Sequence, residues 1–279
     1  MTEAKAHMSI RFWGVRGSIP TPCAENLRYG GNTSCIEVRL PSGEICILDG
    51  GSGLRPLGVA LARELEVSPA PVHVFLTHFH WDHIQGIPFF APLYSPGNRV
   101  TFYAHQHPEE IQETLEGQMT TPYFPVSFGL LAAKREFIST REREFRFGET
   151  KIKSFPLNHP QRAFGYRLDH KGHSIVLACD LEHGDEMYDK ILDEAVQGAD
   201  ILIYDAQFTP EEYDQRRGWG HSTWLEATRV AARCGVRKLI LFHHDPSHDD
   251  GMLDSLVAAA RAEFPNTNLA IEGSTYDIF

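Results

Sequence analysis

The stretch THFHWDHIQG, residues 77–86, sets three histidines and one aspartate close together: His78, His80, Asp82 and His83. Imidazole nitrogens and carboxylate oxygens are the donors that zinc and similar cations take. Crowding four such groups is costly unless a cation holds them. The chemistry of such a centre is metal-assisted hydrolysis. His78 and His80 alternate, so an extended chain can face both to one side. Asp82 and His83 follow where the chain turns into a helix and can aim at another point, so the spacing suits two metals better than one. The remaining ligands must come from distant segments, and the sequence offers them at the ends of apolar runs. His159 ends KIKSFPLNH, Asp180 ends SIVLACD, and His243 ends KLILFH. A lone strand-end histidine is usually a hydrogen-bonded structural residue. Ligand types at four strand ends, one of them carrying the dense cluster, point to a dinuclear centre instead. His244 directly follows His243, and successive strand residues face opposite sides, so only one of the two should reach the metal. Asp205, closing DILIYDA, and His248, in HHDPSHDD, are further polar groups near strand ends and are more often structural.

These side chains need rigid strands behind them. VHVFLTH (72–78) reads as a buried strand running straight into the cluster. Before it come strands at 9–15, 34–40 and 44–50, with PSG as the turn between the last two, and a helix within 53–67 once past Pro56. A strand at 99–105 and a helix at 108–119 follow, the helix with acidic residues in its first turn, as its dipole favours. Residues 120–150 are less regular and read as a loop or lid with its own apolar contacts. Strands are expected at 143–148, 151–159, 163–170 and 174–180. Helix 185–197, strand 200–206, helix 222–234, strand 238–244, helix 249–263 and strand 268–273 finish the chain. This is one α/β domain over 1–279, with a lid-like or insert segment around 106–142. Meandering strands followed by βα units suggest sheets packed face to face with helices outside.

The bulk numbers narrow the partners. The chain has 279 residues, 42% of them hydrophobic, enough for one large domain. Its net charge of −11 disfavours a protein that binds long nucleic acid by neutralising phosphates, and leaves room for a small anionic substrate at a metal. Five scattered cysteines without a CxxC suggest free, mostly buried thiols in a reducing cytoplasm. The N-terminal MTEAKAHMSIRFW has no apolar signal core, and no run is long enough to span a membrane.

The motif set as a whole resembles the metallo-β-lactamase superfamily. H-x-H-x-D-H stands at 78, 80, 82 and 83, and His159, Asp180 and His243 follow in the family's order. Asp49, in ILDGGSGL, matches the structural aspartate that precedes the signature. The resemblance covers nearly the whole chain and implies an αββα sandwich. It also implies that His78, His80 and His159 bind one metal, that Asp82, His83 and His243 bind a second, and that Asp180 bridges them. His243 rather than His244 falls where the family's last histidine falls. The ions implied are two divalent cations, with zinc first and manganese or iron as alternatives.

GWGHSTWLEATRVAARCGVRKLILFH further resembles the ribonuclease Z-like branch of phosphodiesterases, where a histidine opening a helix precedes the last ligand strand. That residue is His221, a candidate to protonate a leaving alkoxide. Ser222 or Thr223 can cap the helix, and Thr223 with Glu226 fits a capping box. The free N–H groups there suit a phosphate oxygen. PLNHPQRAFGYRL, FWGVRGSIPTP and RYGGNTSCIEV are similar to other segments of the branch. Arg16 is placed to meet a phosphate or to stabilise a turn, and Asn32 and Ser34 read as turn formers. The long Gly/Pro-rich arm with which ribonuclease Z grips transfer RNA is not found here. The reading is therefore a hydrolase of a small phosphodiester such as a cyclic nucleotide, with Asp82 and His221 as catalytic candidates. A homodimer is expected, and Tyr123 and Phe124 either stack on a base or form an apolar lid or dimer contact. The alternatives are a carboxyl-ester, lactone or thiolester hydrolase on the same metals, and a non-catalytic sensor or binding protein.

Overall fold

The computed structural model describes residues 8–141 and 144–278. Fourteen strands form two seven-stranded sheets. The first sheet begins with β1 (Met8–Gly14), β2 (Cys35–Arg39) and β3 (Ile45–Leu48), which pair antiparallel in turn. Helix α1 (Leu54–Val67) then carries the chain over to β4 (Val72–Phe75), parallel to β3. Pro56 sits in the first turn of α1, where a missing N–H costs nothing, so the helix starts before the proline rather than after it. The single turn α2 (Trp81–Ile84), β5 (Arg99–Ala104) and α3 (Pro108–Gly117) follow.

The second sheet is built from β7 (Glu144–Phe147), β8 (Thr150–Leu157), β9 (Ala163–His170) and β10 (His173–Ala178), all antiparallel. Helix α4 (Glu186–Val196), β11 (Ile201–Asp205), the short α5 (Pro210–Tyr213), α6 (Trp224–Arg233), β12 (Lys238–Phe242), α7 (Asp250–Glu263) and β13 (Thr267–Leu269) extend it with parallel strands.

Two strands depart from the sequence reading. Residues 120–150 were expected to be loop up to 143, but β6 (Lys134–Ser139) lies inside that stretch and pairs parallel with β5 at the sheet edge. The expected lid or insert at 106–142 thus contains α3 and an integral strand. At the other end, the strand expected over 268–273 is cut at Leu269, and β14 (Thr275–Ile278) crosses back to pair with β1 in the first sheet. Gly273, with φ of +81°, sits in the turn between them.

Three apolar layers hold this αββα sandwich together. One lies between the sheets, where Phe12, Phe75, Tyr166, Ile175 and Phe242 meet. A second covers the outer face of the first sheet with α1 and α3, and a third covers the second sheet with α4, α6 and α7. The sheets are stitched to each other at one end by backbone and side-chain hydrogen bonds. Phe164 N–H donates to Thr77 O at 3.1 Å, and the Tyr166 hydroxyl to Leu76 O at 2.6 Å. Gly17 N–H donates to His244 O, and His244 N–H to Val15 O, each at 3.0 Å. That end is also where β4, β10, β11 and β12 finish, the place where open parallel sheets present their ligands.

His73 supplies a pH test of this packing. It lies under Phe147 with rings 4.4 Å apart, and its Nδ1 meets the Tyr103 hydroxyl at 3.1 Å. Burial lowers its pKa to about 4, against the opposing pull of Glu44. The unfolded chain therefore binds the extra proton first as pH falls below about 6.5. This stability is whole above that value and is lost toward pH 4, at up to ~1.4 kcal/mol per pH unit. Urea midpoints at pH 7 and pH 5 should fall less for His73→Leu than for the wild type. Parallel curves would show that His73 is not the group responsible.

Candidate metal centre and proton donor

The seven residues expected to hold metal come together where the sheets are stitched. Ring nitrogens and carboxylate oxygens of His78, His80, His159 and Asp180 form one group, and those of Asp82, His83 and His243 form another, with one donor atom from each residue of a group within 4.8 Å of the others. The division is the one the motif resemblance implies. Asp180 stands between the groups. Its Oδ2 lies 3.4 Å from His78 Nε2 and 3.3 Å from His83 Nε2, while its Oδ1 lies 3.3 Å from His243 Nε2.

The contacts around the histidines fix which nitrogen faces inward, and this tests whether a cation fits. His83 Nδ1 is bound to Asp49 Oδ2 at 2.8 Å, His159 Nδ1 donates to Gly220 O at 3.0 Å, and His243 Nδ1 to Gln207 Oε1 at 2.9 Å. His78 Nδ1 meets Thr77 Oγ1 at 3.1 Å, and His80 turns its Nε2 outward to Gln161 Oε1 at 2.8 Å. A proton held on each outer nitrogen leaves lone pairs facing in. His78 Nε2 and His159 Nε2 are buried with no hydrogen-bond partner, and His83 Nε2 faces His243 Nε2 at 3.3 Å. Orphaned acceptors converging on buried carboxylates fit divalent cations, and the N/O donor set suits zinc.

The backbone is strained where it delivers these groups. Asp49, Asp180 and His243 adopt left-handed φ values of 62°, 60° and 62°. For residues with side chains this costs energy and is retained where the surroundings dictate it. Two glycines leave the room required. A Cβ on Gly220 would come within 2.1 Å of His159 Nδ1, and one on Gly17 within 2.6 Å of the His243 ring. The expected extended run from 72 to 78 ends as a paired strand at Phe75. His78 and His80 lie in the irregular segment beyond it, and His80 enters α2 as its N-cap.

His221 stands beside both groups, its ring centroid 5.1 Å from that of His243 and 5.9 Å from that of His159. Its Nδ1 is bound to Asp205 Oδ2 at 2.9 Å. Burial alone would lower the His221 pKa, but the carboxylates of Asp205 and, behind it, Asp180 and Asp82 together outweigh it and the value rises to about 9. Asp205 is fully buried and also accepts the backbone N–H groups of Asp180, Gln207 and Ser222. Asp49 likewise accepts from the Thr77 backbone and hydroxyl while it holds His83.

Other expectations resolve differently. His244 points away from the cluster to Ala270 O, leaving His243 as the inward residue. Arg16 is fully buried and donates to the carbonyls of Gly30, Asp245 and His248, so it pins loops together and cannot meet a substrate phosphate. His248 pairs with Glu212 and is structural. Thr223 caps α6 by accepting Glu226 N–H, but Glu226 turns its carboxylate to Arg229 and Arg233, so only half of the expected capping box forms. Asn32 and Ser34, expected as turn formers, instead tie remote segments: the Asn32 amide binds Glu272 and Ser52, and the Ser34 hydroxyl donates to Asp49. Cys179 escaped the sequence reading. Its thiol donates to Asp180 Oδ1 at 2.9 Å, and it groups with Asp180, Asp205 and His243. The five cysteines are free, four of them buried and Cys23 exposed.

Two face-packed seven-stranded sheets with helices outside, and His/Asp groups at the strand ends, define a hydrolase of the metallo-β-lactamase fold. The chain belongs to the β-lactamase superfamily, whose family model, described as "Beta-lactamase superfamily domain", matches residues 47–244. It is 28% identical over 324 residues to a protein named ribonuclease Z from Synechococcus sp. (strain CC9311), covering 97% of this chain and 99% of the relative. The alignment is longer than this chain, so the relative carries insertions that are missing here. Among solved structures, the metallo-β-lactamase fold protein YhfI from Bacillus subtilis superposes with a TM-score of 0.72 at 22% identity, covering 98% of this chain and 100% of that one. A diphosphatase from the PhnP family gives 0.71 at 19% identity, covering 98% of each. Among the described residues, no helix is long and apolar enough to cross a membrane.

Proposed function

We propose that the protein is a phosphodiesterase acting on a small phosphodiester, with a cyclic nucleotide as the working substrate class. The observation that carries this reading is the Asp205–His221 pair set beside both ligand groups. An alkoxide leaving a phosphodiester needs a proton. A histidine held protonated by a buried carboxylate can supply it at neutral pH. The full-length likeness to proteins named ribonuclease Z supports phosphodiester chemistry. The net charge of −11 and the missing insertions favour a small substrate over transfer RNA.

In this reading His78, His80 and His159 hold one cation, Asp82, His83 and His243 the other, and Asp180 both. Bound there, two divalent cations supply Lewis acidity that activates water and neutralises charge on a phosphoryl oxygen. Asp82 is held by the Ser18 N–H at 2.7 Å, which fixes the carboxylate for this role. Asp49, Gln207 and Gly220 O orient His83, His243 and His159, and Asp205 orients His221. Zinc is the first choice of ion. The free thiols support a reducing cytoplasm, and a homodimer over a single domain completes the proposal.

The test is a substrate screen on protein of measured metal content: bis-(p-nitrophenyl) phosphate, cyclic nucleotides, a precursor transfer RNA, a lactone and a thiolester. Diesters should exceed the carbonyl substrates in kcat/KM by about a hundredfold or more, as expected for a site built around a distinct transition state. A preference for lactone or thiolester would overturn the reading. Cleavage of the precursor RNA in preference to small diesters would overturn the substrate size.

A further inference from the structure

One cavity beside α2 is left unused by this chemistry. It has a volume of about 480 Å³ and is lined by Trp81, Gln85, Pro88, Phe89, Gln118 and Phe124, with Tyr123 and Gly117 at its edge. The size suits a small ligand. Trp81 lies between His80 and Asp82 in the chain, and Gln85 is one helical turn on, so the cavity uses the other face of the turn that delivers Asp82 and His83. Three of its aromatic rings are exposed: Trp81 by 67%, Phe89 by 55% and Tyr123 by 80%. Phe124 packs edge-on against Phe89 at 5.6 Å, holding the wall in place.

The decisive group is Gln118. It is only 8% exposed, and neither its amide nitrogen nor its amide oxygen has a hydrogen-bond partner. A buried carboxamide with both ends unpaired is rare in a finished site. Gln85 does not fill the gap, because its amide is already bound to Thr33 Oγ1 at 2.9 Å. The lining carries no charged residue, so it does not suit a phosphate. Flat aromatic walls with one free donor and one free acceptor match an uncharged heteroaromatic ring, and a glutamine amide pairs with the adjacent donor and acceptor of adenine.

We propose that this cavity is the nucleobase subsite of the hydrolase, with Trp81, Phe89 and Tyr123 stacking on the base and the buried Gln118 amide turning from behind the wall to meet its edge. The proposal rests on the phosphodiesterase reading and adds where the base of a nucleotide substrate is held.

Two esters with the same leaving group test it on the metal-loaded protein: adenosine 5′-(p-nitrophenyl phosphate) and methyl p-nitrophenyl phosphate. The wild type should prefer the nucleoside ester through KM. In Gln118→Leu and Tyr123→Ala the ratio of kcat/KM between the two esters should fall about tenfold, the scale of one lost stacking or edge contact. Equal KM for both esters in the wild type, or an unchanged ratio in both variants, overturns the subsite. If neither ester is cleaved, the phosphodiesterase reading fails by itself and the cavity is judged by binding. AMP should then quench tryptophan emission where ribose 5-phosphate does not, and Trp81→Phe should remove the response. An equal response to both ligands, or emission that follows protein concentration and ignores AMP, overturns the proposal; the latter marks a contact between copies of the chain.

Discussion

Asp180→Ala is expected to lower metal content to one ion per chain or less and to cut phosphodiester turnover by on the order of a thousandfold. Asp180 is 1% exposed; its Oδ2 lies between His78 of one ligand group and His83 of the other, and its Oδ1 faces His243. Burial would raise its pKa, but the imidazoles of His243, His83 and His78 hold it well below the usual carboxylate range, so it is an anion in the fold. Without it, His78 loses the carboxylate beside it, Asp82 alone faces His83 and His243, and cations placed there repel each other with less compensation. Asp180→Asn is the companion variant. It keeps the shape and the backbone bond to Asp205 but removes the charge, so a similar loss of metal would locate the effect in charge rather than packing. Elemental analysis with turnover measured on the same samples decides the matter. Two ions per chain with wild-type turnover in Asp180→Ala would end the bridging assignment.

The candidate ligands were legible because their chemistry is legible. A dense run of donors between Thr77 and Ile84 has few structural uses, and His159, Asp180 and His243 each close an apolar run. Strand alternation leaves room for only one of His243 and His244 at the site, the family resemblance selects His243, and the structure turns the His244 ring away to Ala270 O. What stayed hidden depends on contacts between remote segments. Asp205 reads as an ordinary strand-end carboxylate until the fold brings it His221 and the N–H groups of Asp180 and Ser222. Arg16 reads as a phosphate ligand or a turn-stabilising residue alike, because its carbonyl partners Gly30, Asp245 and His248 are distant in the chain. β6 was missed because KREFIS is an edge strand, alternating only weakly, behind a stretch broken by Pro122 and Pro125. β14 is four residues long and gains its identity only by pairing with β1. Gln118 gives no signal at all in sequence, since an unpaired amide is visible only once its neighbours are placed.

Asp205→Asn should lower kcat for an alkyl phosphodiester by about 10²–10⁴, the range for loss of general acid catalysis, and should move the alkaline limb of the pH profile downward. The sign follows from the site. His221 must carry its proton to act, so turnover falls as pH rises through its pKa. In the wild type the buried Asp205 carboxylate, helped by Asp180 and Asp82, raises that pKa to about 9 against the pull of burial. Asparagine leaves the burial and removes the charge, so the imidazole loses its proton at lower pH. Cations bound near His159 and His243 draw both limbs down together and leave the direction of the difference unchanged. His221→Ala should abolish the limb altogether. A purely structural pair would not distinguish leaving groups, whereas a proton donor must. Both variants should cripple an alkyl diester yet spare bis-(p-nitrophenyl) phosphate, whose acidic phenol departs without a proton. Equal losses on the two substrates, with metal content intact, would show that Asp205 and His221 hold the site in shape without moving a proton.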